Sequence, residues 1–225
     1  MGRRIPLAHS SISSYMRRGA IAMRLGKVVK SNSHCDYVVE LDDQYSTEVP
    51  PEADDYGFGS FVRLEDEGRR HWAVGIVYNT QLVNPMFLSN GPRLSSDPDP
   101  LFTPDLISET RTMLGVVLVG TLENTEQGCF GKQGIPKVVV PINTPAWLMS
   151  HDDVQQFHQD MNQRPQFTYY SHLLRCGGQF ASDLMDQILT TLVDENLFTN
   201  GDRRALELLR REIRWKNTMG AMRTR

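Results

Sequence analysis

His172 and Cys176 stand four residues apart, so on a helix they share a face. Such a pair suits either two metal ligands or a thiol nucleophile with its base. Tyr169 and Tyr170 lie nearby in sequence. No third ligand or orienting acid stands at a useful spacing, so packing is the plainer expectation. His34, Cys35 and Asp36 are adjacent. Neighbouring side chains on a strand point apart, so a zinc ion there would need Cys129, His71 or His172 to arrive from elsewhere in the chain. Asp152, Asp153 and Asp160 offer carboxylates, but the first two more simply serve a helix N-terminus. The pairs Asp42–Asp43 and Asp54–Asp55 lie in a stretch with tandem prolines. They read as solvated loop or docking surface, because hydrolytic carboxylates need rigid placement. Gly128-Cys-Phe-Gly-Lys-Gln-Gly comes nearest to a phosphate loop. It lacks the first-glycine spacing and a Ser or Thr after the lysine, and reads as a hairpin loop between strands.

A second kind of chemistry would be electrostatic. The first 35 residues carry seven Arg or Lys and no acid, residues 36–202 carry a net charge of −16, and residues 203–225 carry +6. Arg17 and Arg18 near the start, and Arg203, Arg204, Arg210, Arg211, Arg214 and Lys216 near the end, are the candidates for contact with nucleic acid or an acidic partner. Trp215 is available for stacking. The acidic middle opposes a non-specific grip, and Glu207 can pair with Arg211 within its own helix.

The elements that must position these groups fall into two parts. Short β-branched and aromatic runs, punctuated by Gly and Pro, predict strands over Arg24–Lys30, Tyr37–Leu41, Ser60–Leu64, Trp72–Tyr78 and Leu114–Leu122, with Lys137–Val140 closing the sheet. Asn79–Pro104 reads as a long connection, followed by a short helix over Pro104–Met113 capped by Thr103. After Pro145 the periodicity becomes helical: about His151–Met161 with Ser150 as cap, Phe167–Cys176, Gln179–Leu197, and a last helix to about Lys216. Leu184, Ile188 and Leu192, with Leu206, Leu209 and Ile213 on the last helix, form apolar stripes that read as a protein interface. The domain reading is a basic flexible arm over 1–22, a barrel over 23–145 with an insertion near 79–113, a helical domain over 146–217 and a flexible tail over 218–225. The fold class is α+β in two parts: a small closed or nearly closed antiparallel β-barrel followed by a helical C-terminal domain.

The barrel segment resembles the HAS-barrel of HerA-type DNA-translocating ATPases and of the N-terminal domains of rotary ATP synthase subunits. The resemblance runs through Arg24-Leu-Gly-Lys-Val-Val, Tyr37-Val-Val-Glu-Leu-Asp-Asp, Gly59-Ser-Phe-Val-Arg-Leu, Val74-Gly-Ile-Val-Tyr-Asn, Leu82-Val-Asn-Pro, Leu114-Gly-Val-Val-Leu-Val-Gly and Pro136-Lys-Val-Val-Val-Pro. It covers about 120 residues. In that family the barrels pack side by side as a collar above an ATPase ring. The ATPase domain that would follow, with its phosphate loop, has no counterpart in these 225 residues.

These features lead to an expectation of a non-catalytic assembly or docking protein that self-associates or binds a larger complex, such as a ring ATPase. The alternatives are a nucleic-acid-binding accessory protein and a metal-dependent hydrolase, the latter resting on His172 and Cys176. No cofactor is expected. Three cysteines point to a reducing compartment. No apolar run is long enough to span a bilayer. A cytoplasmic location is expected, with organellar import left open by the Ser- and Arg-rich start.

Overall fold

A computed structural model describes residues 23–44, 46–66, 68, 70–83, 111–125, 128–194 and 198–223, with no side-chain description at residue 200 or beyond 215. Among these residues seven strands form one antiparallel sheet: β1 (Arg24–Ser31), β2 (Asp36–Leu41), β3 (Phe61–Glu65), β4 (His71–Val83), β5 (Arg111–Thr125), β6 (Gly128–Gln133) and β7 (Pro145–Leu148). The order is β2-β1-β7-β3-β4-β5, and β2 pairs again with β5, from Asp36 opposite Val117 to Glu40 opposite Met113. Six strands thus close a barrel, which leaves none of them as a free edge. β6 lies outside the ring as a hairpin extension of β5.

Helices α1 (His151–Phe157), α2 (Tyr170–Cys176), α3 (Ala181–Asp194) and α4 (Asn200–Arg223) follow, with a single 3₁₀ turn at Gly178–Phe180 before α3. Alternation on the strands divides the core in two. Val62, Leu64, Ala73, Val77, Val116 and Leu118 belong to the barrel's own cluster. Their neighbours Phe61, Val74, Ile76, Val117 and Val119 pack instead with Phe157, Leu173, Leu184, Met185 and Ile188 of the helices. Burial on both faces explains why β4 and β5 read as nearly continuous apolar runs.

Several boundaries differ from the sequence reading. Lys137–Val140 is not a strand. The ring is closed by Pro145–Leu148, which pairs with both β1 and β3. Pro136 and Pro141 cannot donate to a ladder, whereas Pro145 is tolerated as the first residue of a strand. The barrel therefore runs to Leu148 instead of ending at 145. The segment from Gly128 is a strand, not a loop. Residues 79–83 extend β4 and residues 111–113 begin β5; the remainder of the expected insertion and its helix, like the basic arm at 1–22, lies outside the described residues. The last helix continues to Arg223, through most of the segment read as a tail. Helix α1 ends at Phe157, short of Met161, and its start is fixed by a capping box between Ser150 and Asp153.

Candidate functional site

Strand alternation places Arg63 and Glu65 on the face of β3 that Phe61 shares, turned toward the helices. There they meet His71 of β4, Cys129 of β6 and Asp153 at the start of α1 around a cleft of about 380 Å³. Arg63 lies between two carboxylates, 3.5 Å from Glu65 and 3.7 Å from Asp153. The Leu122 N–H donates to His71 Nε2 at 2.9 Å, so the hydrogen of the neutral ring sits on Nδ1. Burial first, and then the Arg63 charge, lower the His71 pKa to about 4, against a smaller opposing effect of Asp153. Among the described residues, His71 Nδ1 is buried without a hydrogen-bond partner, while Arg63 Nε has the longer ion-pair contact to Glu65. One unsatisfied donor beside the Arg63 charge suits a small molecule bearing acceptor oxygens. The cleft is poorly suited to proton abstraction, because the only lone pair on His71 is already engaged. Burial and the nearby Asp153 push the Cys129 thiol up, which keeps it protonated.

A different kind of site lies at residues 135–142, where Val140 packs into the barrel's own cluster. His34 Nε2 donates to the Pro136 carbonyl at 2.7 Å, the Val140 N–H donates to the Tyr37 hydroxyl at 3.2 Å, and the Thr144 hydroxyl donates to the Pro141 carbonyl at 2.8 Å. These bonds and the buried Val140 hold the segment against the barrel. Yet Ile135, Val138, Val139 and Ile142 remain 55%, 40%, 64% and 66% exposed. Four large apolar side chains are thus exposed on an eight-residue segment anchored at Pro136, Val140 and Pro141. The sequence reading assigned half of this segment to a strand and so missed it. Its signal was the pair of prolines bracketing an apolar run.

The predicted interface residues lie elsewhere. Leu184, Ile188, Leu192 and Ile213 are buried in the chain's own core, and Leu206 and Leu209 pack against them. The two stripes cover each other and the barrel, so they are not an outward surface. The predicted basic contact is also largely engaged within the chain. Arg210 and Arg214 converge on Asp186 of α3, and Arg203 pairs with Glu207 at 3.2 Å in place of the expected Glu207–Arg211 pair. Arg204 and Arg211 are exposed. Arg17, Arg18 and the Lys216 side chain lie outside the described residues.

The metal readings do not assemble. Among the described residues no group of three His, Cys, Asp or Glu side chains could hold an ion. His34 binds the Pro136 carbonyl, Cys35 is buried, and Asp36 accepts from the Tyr78 hydroxyl at 2.9 Å, so the three diverge. Asp160 accepts the N–H groups of Asn162 and Arg164 as a loop clasp. Lys132 of the glycine-bearing segment pairs with Glu123 across the β5–β6 hairpin. His172 and Cys176 do meet, with Nδ1 and Sγ 3.6 Å apart.

The family model for DUF8166, a domain of unknown function, matches residues 9–223. The chain belongs to the DUF8166 family. The match spans both the barrel and the helices, so the two parts form one family unit. No curated protein matches the chain. Among the described residues of this DUF8166 chain, no helix is long and apolar enough to cross a membrane.

Proposed function

We propose that this chain is a non-catalytic docking protein whose barrel seats a second copy of itself through residues 135–142. The observation that carries the reading is the pinned segment with Ile135, Val138, Val139 and Ile142 turned to solvent. A hydrophobic surface held rigid before binding loses little conformational freedom on association. The HAS-barrel resemblance supports barrel-to-barrel contact, and it makes a ring ATPase the class of larger complex on which such a collar would sit. Engagement of Arg203, Arg210 and Arg214 by acids of the same chain lends less support to a nucleic-acid role.

Sedimentation over a concentration series tests the reading. The wild-type chain is expected to form a discrete assembly, and a Val139→Ser, Ile142→Ser double variant to be a folded monomer. A wild-type chain that stays monomeric at tens of micromolar, the range of weak specific association, would overturn it.

A further inference from the structure

The turn between β1 and β2 and helix α2 meet at Leu118 of β5. The Leu118 N–H donates to the Cys35 carbonyl at 2.8 Å, and the Leu118 carbonyl accepts from His172 Nε2 at 2.9 Å. A carbonyl can only accept, so Nε2 carries the hydrogen and Nδ1 of the neutral ring keeps its lone pair. That lone pair faces Cys176 Sγ at 3.6 Å. His172 is buried and Cys176 half-buried. Thiol, base and orienting group therefore stand in the sequence that nucleophilic chemistry requires, with a backbone carbonyl in the role an acid often fills. Cys35 is anchored at the same strand residue through its carbonyl. Burial pushes its thiol up, and the nearby Cys176 adds to the effect.

We propose that Cys176 is a thiol-exchange site for low-molecular-weight disulfides, with His172 accepting its proton and Cys35 acting as the resolving thiol. Half-burial admits only a small partner. A second thiol, on the residue bonded to the same Leu118 that orients His172, gives sulfur exchange a continuation that an alkyl or acyl adduct would lack. In the first step the Cys176 sulfur attacks one sulfur of the small disulfide while its proton passes to His172 Nδ1. The disulfide bond breaks, and the departing thiolate takes that proton and leaves as a thiol. In the second step the Cys35 sulfur attacks the Cys176 sulfur of the mixed disulfide and loses its proton to the second departing thiolate. One small disulfide is reduced to two thiols, and Cys35 and Cys176 are oxidised to one bond. That bond ties the barrel turn to the helical part. The site is separate from residues 135–142 and does not depend on the docking role.

The test treats the full-length folded protein with oxidised glutathione at neutral pH and maps the products by peptide mass. Cys129 is the internal reference, being half-buried and outside this cluster. Cys176 is expected to react about a hundredfold faster than Cys129, the low end of what a positioned base supplies. The glutathione adduct on Cys176 should appear first and the Cys35–Cys176 bond later. A His172→Gln chain should lose most of the difference, with circular dichroism confirming its fold. The comparison within the wild-type chain stands whether or not that variant folds. Equal rates at Cys176 and Cys129, or a Cys176 that stays free in the folded chain, would overturn the proposal. An adduct that never passes to Cys35 would overturn the resolving role.

Discussion

Arg214 grips Asp186 at two points, Nε to Oδ1 at 2.6 Å and Nη2 to Oδ2 at 2.8 Å. Arg210 reaches the same carboxylate at 3.3 Å, so one acid on α3 fastens two turns of α4. Hydrogen bonding from Arg214, and secondarily from Arg210, holds the Asp186 carboxyl below its usual range. A carboxyl whose pKa is lowered by folding stabilises the folded chain above its unfolded pKa, and that gain fades as pH falls through the folded value. Asp186→Asn should lower the thermal midpoint at neutral pH by about 1–3 °C, as partly exposed pairs do. The gap should narrow below about pH 4, where the unfolded chain's carboxyl takes up its proton before the folded one does. Thermal scans at neutral and acid pH check this; a gap that is the same at both would count against the ion pair as its source.

Ile188 distinguishes a core stripe from an outward interface. It is fully buried among the helices and the barrel exterior, while Leu208, on α4, is 62% exposed. Ile188→Ala should cost about 2–5 kcal/mol in urea unfolding. Leu208→Ala should stay within about 0.5 kcal/mol. Similar losses at both positions would contradict the packing described.

Much of the barrel was legible because β-branched runs between Gly- and Pro-rich turns are a local signal. β1 to β5 were all visible in this way, at least in part. The closing strand was not, because Pro145–Leu148 is four residues long and begins with a proline, while Lys137–Val140 has stronger β character and is kept out of the sheet by its flanking prolines. The apolar stripes on α3 and α4 were read correctly as stripes. Periodicity reports that a face must be buried but not by what, and the partner turned out to be the chain itself. The Arg63–His71–Asp153 cleft was hidden for another reason. Its members come from β3, β4 and α1, and only the sheet register together with the seating of α1 on the sheet brings them together. The His172–Cys176 spacing was visible, but the group that orients His172 is a backbone carbonyl of β5, which carries no sequence mark.

Gly131 marks where α1 rests on the β5–β6 hairpin. A Cβ at this position would run into the Phe157 carbonyl, and the obstacle is backbone that no rotamer change can move. Gln166 adds bonds to the Gly131 and Gln159 carbonyls, so the contact has little room to open. Gly131→Ala should cost about 1–3 kcal/mol, the usual range for overpacking. Gly201, near the start of α4, has nothing within reach of an added Cβ. Gly201→Ala should be neutral or stabilise the chain by up to about 1 kcal/mol through helix propensity. Urea titrations of the two variants should therefore move in opposite directions or differ by more than 1 kcal/mol.

His158 supplies an acid sensitivity. It sits at the end of α1, fully buried, with Nδ1 donating to the Val154 carbonyl at 2.7 Å and Nε2 accepting from the Tyr169 hydroxyl at 2.9 Å. Phe61, Phe157, Phe167 and Phe198 surround the ring. Burial lowers its pKa to about 4, outweighing the opposite effect of the Val154 bond. Protonation would place a charge among these aromatics and leave Nε2 donating toward a hydroxyl that now donates to it. The unfolded chain binds this proton near pH 6.5 and the folded chain only near 4, so stability is fully present above the unfolded value and falls as pH drops toward the folded one. From neutral pH to pH 5 the loss should be about 2 kcal/mol for this one histidine. His71, lowered to about 4 chiefly by burial, acts in the same direction. Urea unfolding at the two pH values measures the sum, and His158→Gln should remove about half of the dependence while lowering stability at neutral pH. Proton resonances give the independent check: the His158 ring signals should hold still between pH 8 and 5, and a titration midpoint near 6.5 would show that the ring is not buried as described.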